Sequence, residues 1–264
     1  YDSKQFLPMK KLLLLTSSTL AISAFTVSAN AAGVSDLFFK PVTGQIVSTT
    51  TYDLNTYTET DSVETDGTTT TETIDYGLSD KNTLSLTVSY GDTDNNTSST
   101  NNNNQNGFYN PEIALSRRIA TGDVIVDLNA SIAPDLIDTD DSDYATDATE
   151  YSFGLAVSGT RGIAKYTLSA DMKQIASGSD GSGAYSAAVF TIDNQFVITD
   201  QIRLDPSISY TDADGTDTNY VTYGATLSYD VSDSLAIYAG VRNINYDTLN
   251  KETTTTTLSL KTLF

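Results

Sequence analysis

From about residue 43 onward the chain alternates apolar and polar positions. In Val124-Ile125-Val126-Asp127-Leu128-Asn129-Ala130-Ser131-Ile132 the even positions are all apolar, while Asp127, Asn129 and Ser131 stand between them. A period of two predicts a strand with one apolar and one polar face. The pattern recurs: Tyr151, Phe153, Leu155 and Val157 oppose Ser152, Gly154, Ala156 and Ser158, and Tyr166, Leu168, Ala170 and Met172 oppose Lys165, Thr167, Ser169 and Asp171. Ile202, Leu204, Ile208 and Tyr210 likewise oppose Arg203, Asp205, Ser207 and Ser209, and Val221, Tyr223, Ala225, Leu227 and Tyr229 oppose Thr222, Gly224, Thr226 and Ser228. Such strands suit a soluble sandwich, with the polar face to water, or a membrane barrel, with the apolar face to lipid and the polar face to a lumen.

The connections separate the two. Short turns at 79–82, 120–123, 159–162, 198–201 and 231–234 alternate with longer polar segments at 92–107, 134–149, 178–183, 212–217 and 247–251. Tight turns at one end and long polar loops at the other are the layout of an outer-membrane barrel. The strands read as 43–58, 68–78, 82–91, 108–119, 123–133, 148–158, 162–173, 184–197, 201–211, 217–229, 234–246 and 251–264. The fold class is therefore all-β, a transmembrane antiparallel up-and-down β-barrel of about 12 strands, an even number that returns both termini to the periplasm. The first strand has the weakest pattern, because Ser48 and Thr50 share a face with Ile46, Tyr52 and Leu54. A ten-strand barrel with a Thr-rich start outside the sheet is the alternative.

Ahead of the strands, Met9-Lys10-Lys11 precedes the apolar run Leu12 to Leu15, a Ser/Thr patch, a second apolar run and Ala29-Asn30-Ala31. A basic start, a short apolar middle and an A-x-A end predict a secretory signal peptide over 9–31, cleaved after Ala31. Residues 1–8 are then an upstream reading-frame extension and 32–264 the outer-membrane β-barrel. Removal of 1–31 takes away Lys4, Lys10, Lys11 and Asp2, which deepens the acid excess by two charges.

Composition narrows the chemistry. The 264 residues carry 14 Lys and Arg against 34 Asp and Glu, a net charge of −20, so a basic nucleic-acid-binding face is excluded. There is no His and no Cys, which removes Ser-His and Cys-His nucleophiles, disulfides and imidazole-ligated metals. A carboxylate-only acid–base site is marked by no spacing, and no enzyme is expected. The acids gather in the predicted outer loops: Glu59, Asp61, Glu64 and Asp66, the cluster Asp138 to Asp143, and Asp212, Asp214 and Asp217. The run 212–217 spaces oxygen ligands as calcium sites do, but it lacks the closing Glu of an EF-hand. No cofactor is expected beyond loosely bound calcium at Asp212, Asp214 and Asp217; a solvated acidic loop is the simpler reading.

The alternation assigns a lumen face containing Asp75, Arg118, Asp127, Lys165, Asp171, Asp193, Arg203, Asp205, Arg242 and Lys261. Opposite charges across a narrow bore either hold a transverse field for polar solutes or pair and close it. Small inward residues such as Gly77, Gly154, Ser158, Gly224 and Ser228 favour an open path. Tyr52, Tyr76, Tyr90, Tyr151, Tyr210, Tyr223 and Tyr229 fall on the lipid face, several near strand ends where a phenol suits the headgroup level.

The chain ends Thr256-Thr257-Leu258-Ser259-Leu260-Lys261-Thr262-Leu263-Phe264, with Leu258, Leu260 and Phe264 at positions of one parity. This strand resembles the C-terminal signature of Gram-negative outer-membrane β-barrel proteins, in which the barrel-assembly machinery recognises a terminal Phe. Residues 107–115, Gly-Phe-Tyr-Asn-Pro-Glu-Ile-Ala-Leu, resemble a strand entry in porin-like transporters of small organic compounds. The barrel enzymes of this architecture, the outer-membrane phospholipases, omptin-type proteases and lipid A deacylases, all use a His that this chain lacks. The resemblance implies an outer-membrane location in a Gram-negative bacterium, with lipid, lipopolysaccharide and the assembly machinery as partners. The functional expectation is a porin-like channel for passive diffusion of small hydrophilic solutes. Its alternative is a closed structural or surface-interaction barrel whose acidic loops bind divalent cations, lipopolysaccharide or other cells.

Overall fold

A computed structural model describes residues 33–59, 63–94, 105–137, 142, 144, 148–176, 184–214, 219–246 and 251–264. Alternation becomes strand after strand: β1 Ile46–Glu59, β2 Val63–Gly77, β3 Asn82–Asp94, β4 Gln105–Phe108, β5 Glu112–Ala120, β6 Val124–Ala133 and β7 Glu150–Arg161. There follow β8 Ala164–Ile175, β9 Tyr185–Val197, β10 Ile202–Asp214, β11 Tyr220–Ser232, β12 Leu235–Tyr246 and β13 Lys251–Leu263. Neighbours pair antiparallel, and β1 pairs β13 from Val47↔Leu263 to Glu59↔Lys251, which closes the ring. Closure is what lets a sheet sit in lipid, because it leaves no unpaired edge of N–H and C=O groups.

The ring has twelve staves, one of them built from two strands. Both β4 and β5 pair with β3, at Tyr90↔Phe108 and at Thr87↔Glu112. Two residues of β3 therefore face the three residues 109–111, a one-residue bulge at Pro111, which has no N–H to give the ladder. The bulge reverses the parity. Phe108 and Ile113, one even and one odd, both stand outward at 48% and 46% exposure. The sequence-predicted strand 108–119 is thus interrupted, and its upper part begins earlier, at Gln105.

Pairing also runs further than the pattern suggests at the first hairpin. The β1–β2 register extends from Ile46↔Tyr76 to Glu59↔Val63, so the acidic stretch read as a loop at 59–67 is largely strand. The first strand belongs to the barrel but starts at Ile46, not at residue 43.

The two faces differ in chemistry. Outward stand Phe153 (60% exposed), Leu258 (55%) and Phe190 (54%), side chains that each gain about 1.5–3 kcal/mol on leaving water. Tyr76, Tyr151, Tyr210, Tyr223 and Tyr229 are exposed on the same face. Inward, hydroxyls pair across neighbouring strands: Thr51 with Ser259 at 2.9 Å, Thr73 with Thr87 at 3.1 Å, Ser131 with Ser152 at 2.6 Å and Ser158 with Thr167 at 2.8 Å. These cross-strand bonds satisfy the polar face without water.

The outward Ser48 and Thr50, which blur the pattern of β1, have a specific partner. Glu72 lies on the outward face of β2, opposite Thr50 on one side and Val88 on the other. Its two carboxylate oxygens accept hydrogen bonds from the Ser48 and Thr50 hydroxyls, each at 2.5 Å. A carboxylate beside apolar neighbours is tolerated when its oxygens are satisfied. Ser48→Ala combined with Thr50→Val is expected to lower the unfolding free energy by about 2–4 kcal/mol. Adding Glu72→Leu should restore most of that loss, as read by urea unfolding from lipid vesicles.

Candidate pore

The lumen is occupied at one end by the chain itself. Residues 33–43 stand off the barrel wall and fold across the mouth that carries the tight turns and both ends of the sheet, and Gly44 and Gln45 join the wall through backbone hydrogen bonds to Gly77. Two turns compact the segment: Asp36 and Phe39 N–H donate to the Gly33 and Asp36 carbonyls, each at 3.0 Å, and the Asp36 carboxylate accepts from Phe38 N–H at 2.9 Å. A third turn at Gly44, with φ of +82°, feeds Gln45 into β1. That backbone conformation favours glycine.

The segment is held by polar groups from the inner face. Gln195, 1% exposed, donates to the Ser35 carbonyl at 2.9 Å and accepts from Leu37 N–H at 3.0 Å. Asp230 accepts from Ser35 N–H at 3.2 Å, and Arg203 bridges Asp230 and the Ser35 hydroxyl. Lys165 pairs with Asp36 and sits 5.2 Å from the centre of the Phe38 ring. Lys40 donates to Ser116 at 2.8 Å and to Asp127 at 3.3 Å, while Arg118 clamps Asp127 through Nε and Nη2 at 3.1 and 3.0 Å. Burial presses the Lys40 ammonium below its ordinary range, and the Asp127 carboxylate opposes that shift.

An apolar knot completes the seat. Val34 packs with Val47, Ala236 and Leu263, and Phe39 and Tyr238 lie against them. Lys261 stands 5.2 Å from the centre of the Phe39 ring. A Cβ at Gly33 would collide with the Asp230 carboxylate, and one at Gly77 with the Val42 carbonyl. Both glycines are contact surfaces between segment and wall.

The inward residues named from the alternation divide into two groups. Arg118, Asp127, Lys165, Arg203 and Lys261 converge on residues 33–40, as just described. The others lie on the wall: Asp75 accepts from Ser85 at 2.6 Å, Asp205 from Ser228 at 3.4 Å, Asp171 covers Gly154, and Arg242 lies over Gly224. Asp193 faces Thr167 and Ser207 across β8 and β10. The small inward residues therefore leave less room than their size suggests, since Gly77, Gly154 and Gly224 are each covered by a neighbour. Leu258 and Leu260 face outward, while Phe264 is buried, its N–H donating to the Ile46 carbonyl at 2.8 Å. Asp212 and Asp214 are exposed at the loop end of β10. Asp217 and the acids at 138, 140, 141 and 143 lie outside the described residues, as does the segment 9–31 expected from the sequence to be a signal peptide. Among the described residues no three acids gather as a metal site would require.

Sequence reasoning missed Asp36, Phe38, Phe39, Lys40, Gln195 and Asp230. A signal was available in Val34, Leu37, Phe38 and Phe39, an apolar cluster between the cleavage site and the first strand that needs somewhere to be buried.

No protein-family model matches the chain, and no curated protein matches it. Solved structures do. The COG4313 outer membrane channel from Pseudomonas putida F1 superposes with a TM-score of 0.68 at 12% identity, over 87% of this chain and 98% of that one. This is an outer-membrane β-barrel fold. The NanC porin superposes on the barrel at 0.55 and 8% identity, over 81% and 98% of the two chains. A KdgM porin bound to disordered oligogalacturonate does so at 0.51 and 11%, over 80% and 98%.

The ionic seat gives a direct test. Asp36→Asn with Lys40→Gln removes the charges by which the segment pairs with Lys165 and Asp127. Opening should become easier by roughly 3 kcal/mol, or on the order of 10²-fold. In detergent-folded barrel, chymotrypsin cleavage at Phe38 and Phe39 is expected to accelerate accordingly while the strands stay intact.

Proposed function

We propose that this barrel is a porin-like channel of the Gram-negative outer membrane, passing small hydrophilic solutes by diffusion, with its inner mouth narrowed by residues 33–43. The observation that carries this reading is the inner face. Hydroxyls, amides and charges of both signs line it from β1 to β13, whereas the outward face is mostly apolar, so the sheet separates a polar passage from lipid. The neighbours that share the fold are described as a channel and as porins, which supports the same reading.

The charge distribution gives the passage a preference. An acid excess of 34 to 14 attracts cations to the mouth within a Debye length of about 8 Å at physiological salt. The seated segment also favours a second reading. A mouth filled by the chain's own residues suits a closed surface barrel whose outer acids, Asp212 and Asp214 among them, bind divalent cations bridging to lipopolysaccharide.

Planar-bilayer recording separates the two. Folded protein is expected to give ohmic, cation-preferring single-channel currents, and proteoliposomes should swell in small sugars and amino acids. Folded protein that carries no current and causes no swelling would leave the closed barrel.

A further inference from the structure

At the loop end of the lumen, opposite the seated segment, lies a cavity of about 380 Å³. Thr69, Thr87, Tyr109, Glu112, Glu150 and Lys173 are among the side chains that line it. Its position follows from the bulge at 109–111: the parity reversal that keeps Ile113 outward turns Glu112 inward, at the top of β5, beside the upper ends of β6, β7 and β8.

One wall is aromatic. The rings of Tyr109 and Tyr144 lie 5.0 Å apart at 32°. Tyr144 reaches this place over Gly91, where a Cβ would come within 2.7 Å of its ring, and its hydroxyl bonds to Thr93. Asn110 anchors the returning chain by accepting from Leu136 and Ile137 N–H at 3.2 and 3.1 Å.

The rest of the lining carries an unbalanced charge. Lys173 donates to Glu150 at 3.0 Å, so those two charges offset each other. Among the described residues Glu112 makes no ion pair of its own, and its carboxylate acts on the same Lys173 ammonium that pairs with Glu150. The cavity therefore presents one carboxylate in excess beside a tyrosine wall. A carboxylate holds an ammonium by charge-assisted contact, and the faces of tyrosine rings attract the same positive group. An anion meets the wrong sign, and a neutral polyol gains nothing from the ring quadrupole's attraction for charge. The volume sits at the low end of ligand pockets, which matches a molecule of a few heavy atoms.

We propose that this cavity is a binding site for a small organic ammonium ion, held against the Glu112 carboxylate with its alkyl groups on the Tyr109–Tyr144 wall. The proposal deepens the channel reading by naming a solute class that the outer mouth selects, and it rests on that reading only for the solute's onward passage. Choline, whose quaternary ammonium is a permanent charge, is a suitable probe, with butyrate and glycerol as anionic and neutral counterparts.

The experiment is calorimetric titration of choline into detergent-folded barrel, alongside choline addition to bilayers holding the same protein. Binding with a dissociation constant on the order of 1 mM is expected, with no heat from butyrate or glycerol. Glu112→Gln should weaken binding at least tenfold. Lys173→Gln, which frees Glu150, should strengthen it, so a variant with the opposite sign guards against a mere folding defect. Absence of choline binding, or equal binding by wild type, E112Q and K173Q, would overturn the proposal even if the barrel conducts. Choline binding with the expected order of variants would sustain it even if no current is found, in which case the channel reading alone fails.

Discussion

Everything in this molecule depends on the closure of β1 onto β13. A sheet in hydrocarbon cannot leave a row of backbone donors and acceptors unpaired, because each lost bond costs several kcal/mol there. The register from Val47↔Leu263 to Glu59↔Lys251 removes that row. It also ties the parity of β1 to that of β13, so that the division between lipid and lumen carried round the ring by the other pairings meets itself at the seam. The same seam supplies Val47 and Leu263 to the apolar knot on which Val34 rests. Barrel closure and the filling of the inner mouth thus share residues.

That filling changes what the lumen charges mean. Read as a list of inward residues, Arg118, Lys165, Arg203 and Lys261 face Asp127, Asp193 and Asp205 across an open bore. In the folded chain Arg118 and Lys40 converge on Asp127, Lys165 takes Asp36, and Arg203 takes Asp230 while holding Ser35. Buried charges are costly unless paired and hydrogen-bonded, and residues 33–40 supply part of that pairing. At the opposite end the lining is left with a surplus carboxylate at Glu112. The lumen is therefore asymmetric, crossed by ion pairs at its inner end and negatively biased at its outer end.

The wall was legible in the sequence because its cause is local. Period-two alternation follows from strand geometry alone, so β6 to β13 could be read from residues such as Val124 to Ile132 or Val221 to Tyr229, and the turn lengths gave the direction. Three features were not legible, each for a physical reason. Ser48 and Thr50 break the outward pattern because they serve Glu72 on the neighbouring strand, a partnership visible only once the register is known. The stave containing Phe108 and Ile113 changes parity at Pro111, and a bulge is invisible to any fixed period. The seated segment has no period at all, since its conformation is set by Gln195, Arg203 and Asp230, which lie more than 150 positions away along the chain. The loop acids at 138–143 and Asp217 lie outside the described residues, so their part in ion binding stands as a reading of the sequence.

The central claim is that the inner mouth is narrowed by residues 33–43 and not by the barrel wall. Single-channel conductance of the intact protein against a form lacking residues 33–42 tests it most directly. Loss of the segment is expected to raise conductance several-fold while heat-modifiable migration in detergent gels stays that of a folded barrel. Equal conductance from the two folded proteins would contradict the account and return the constriction to the wall.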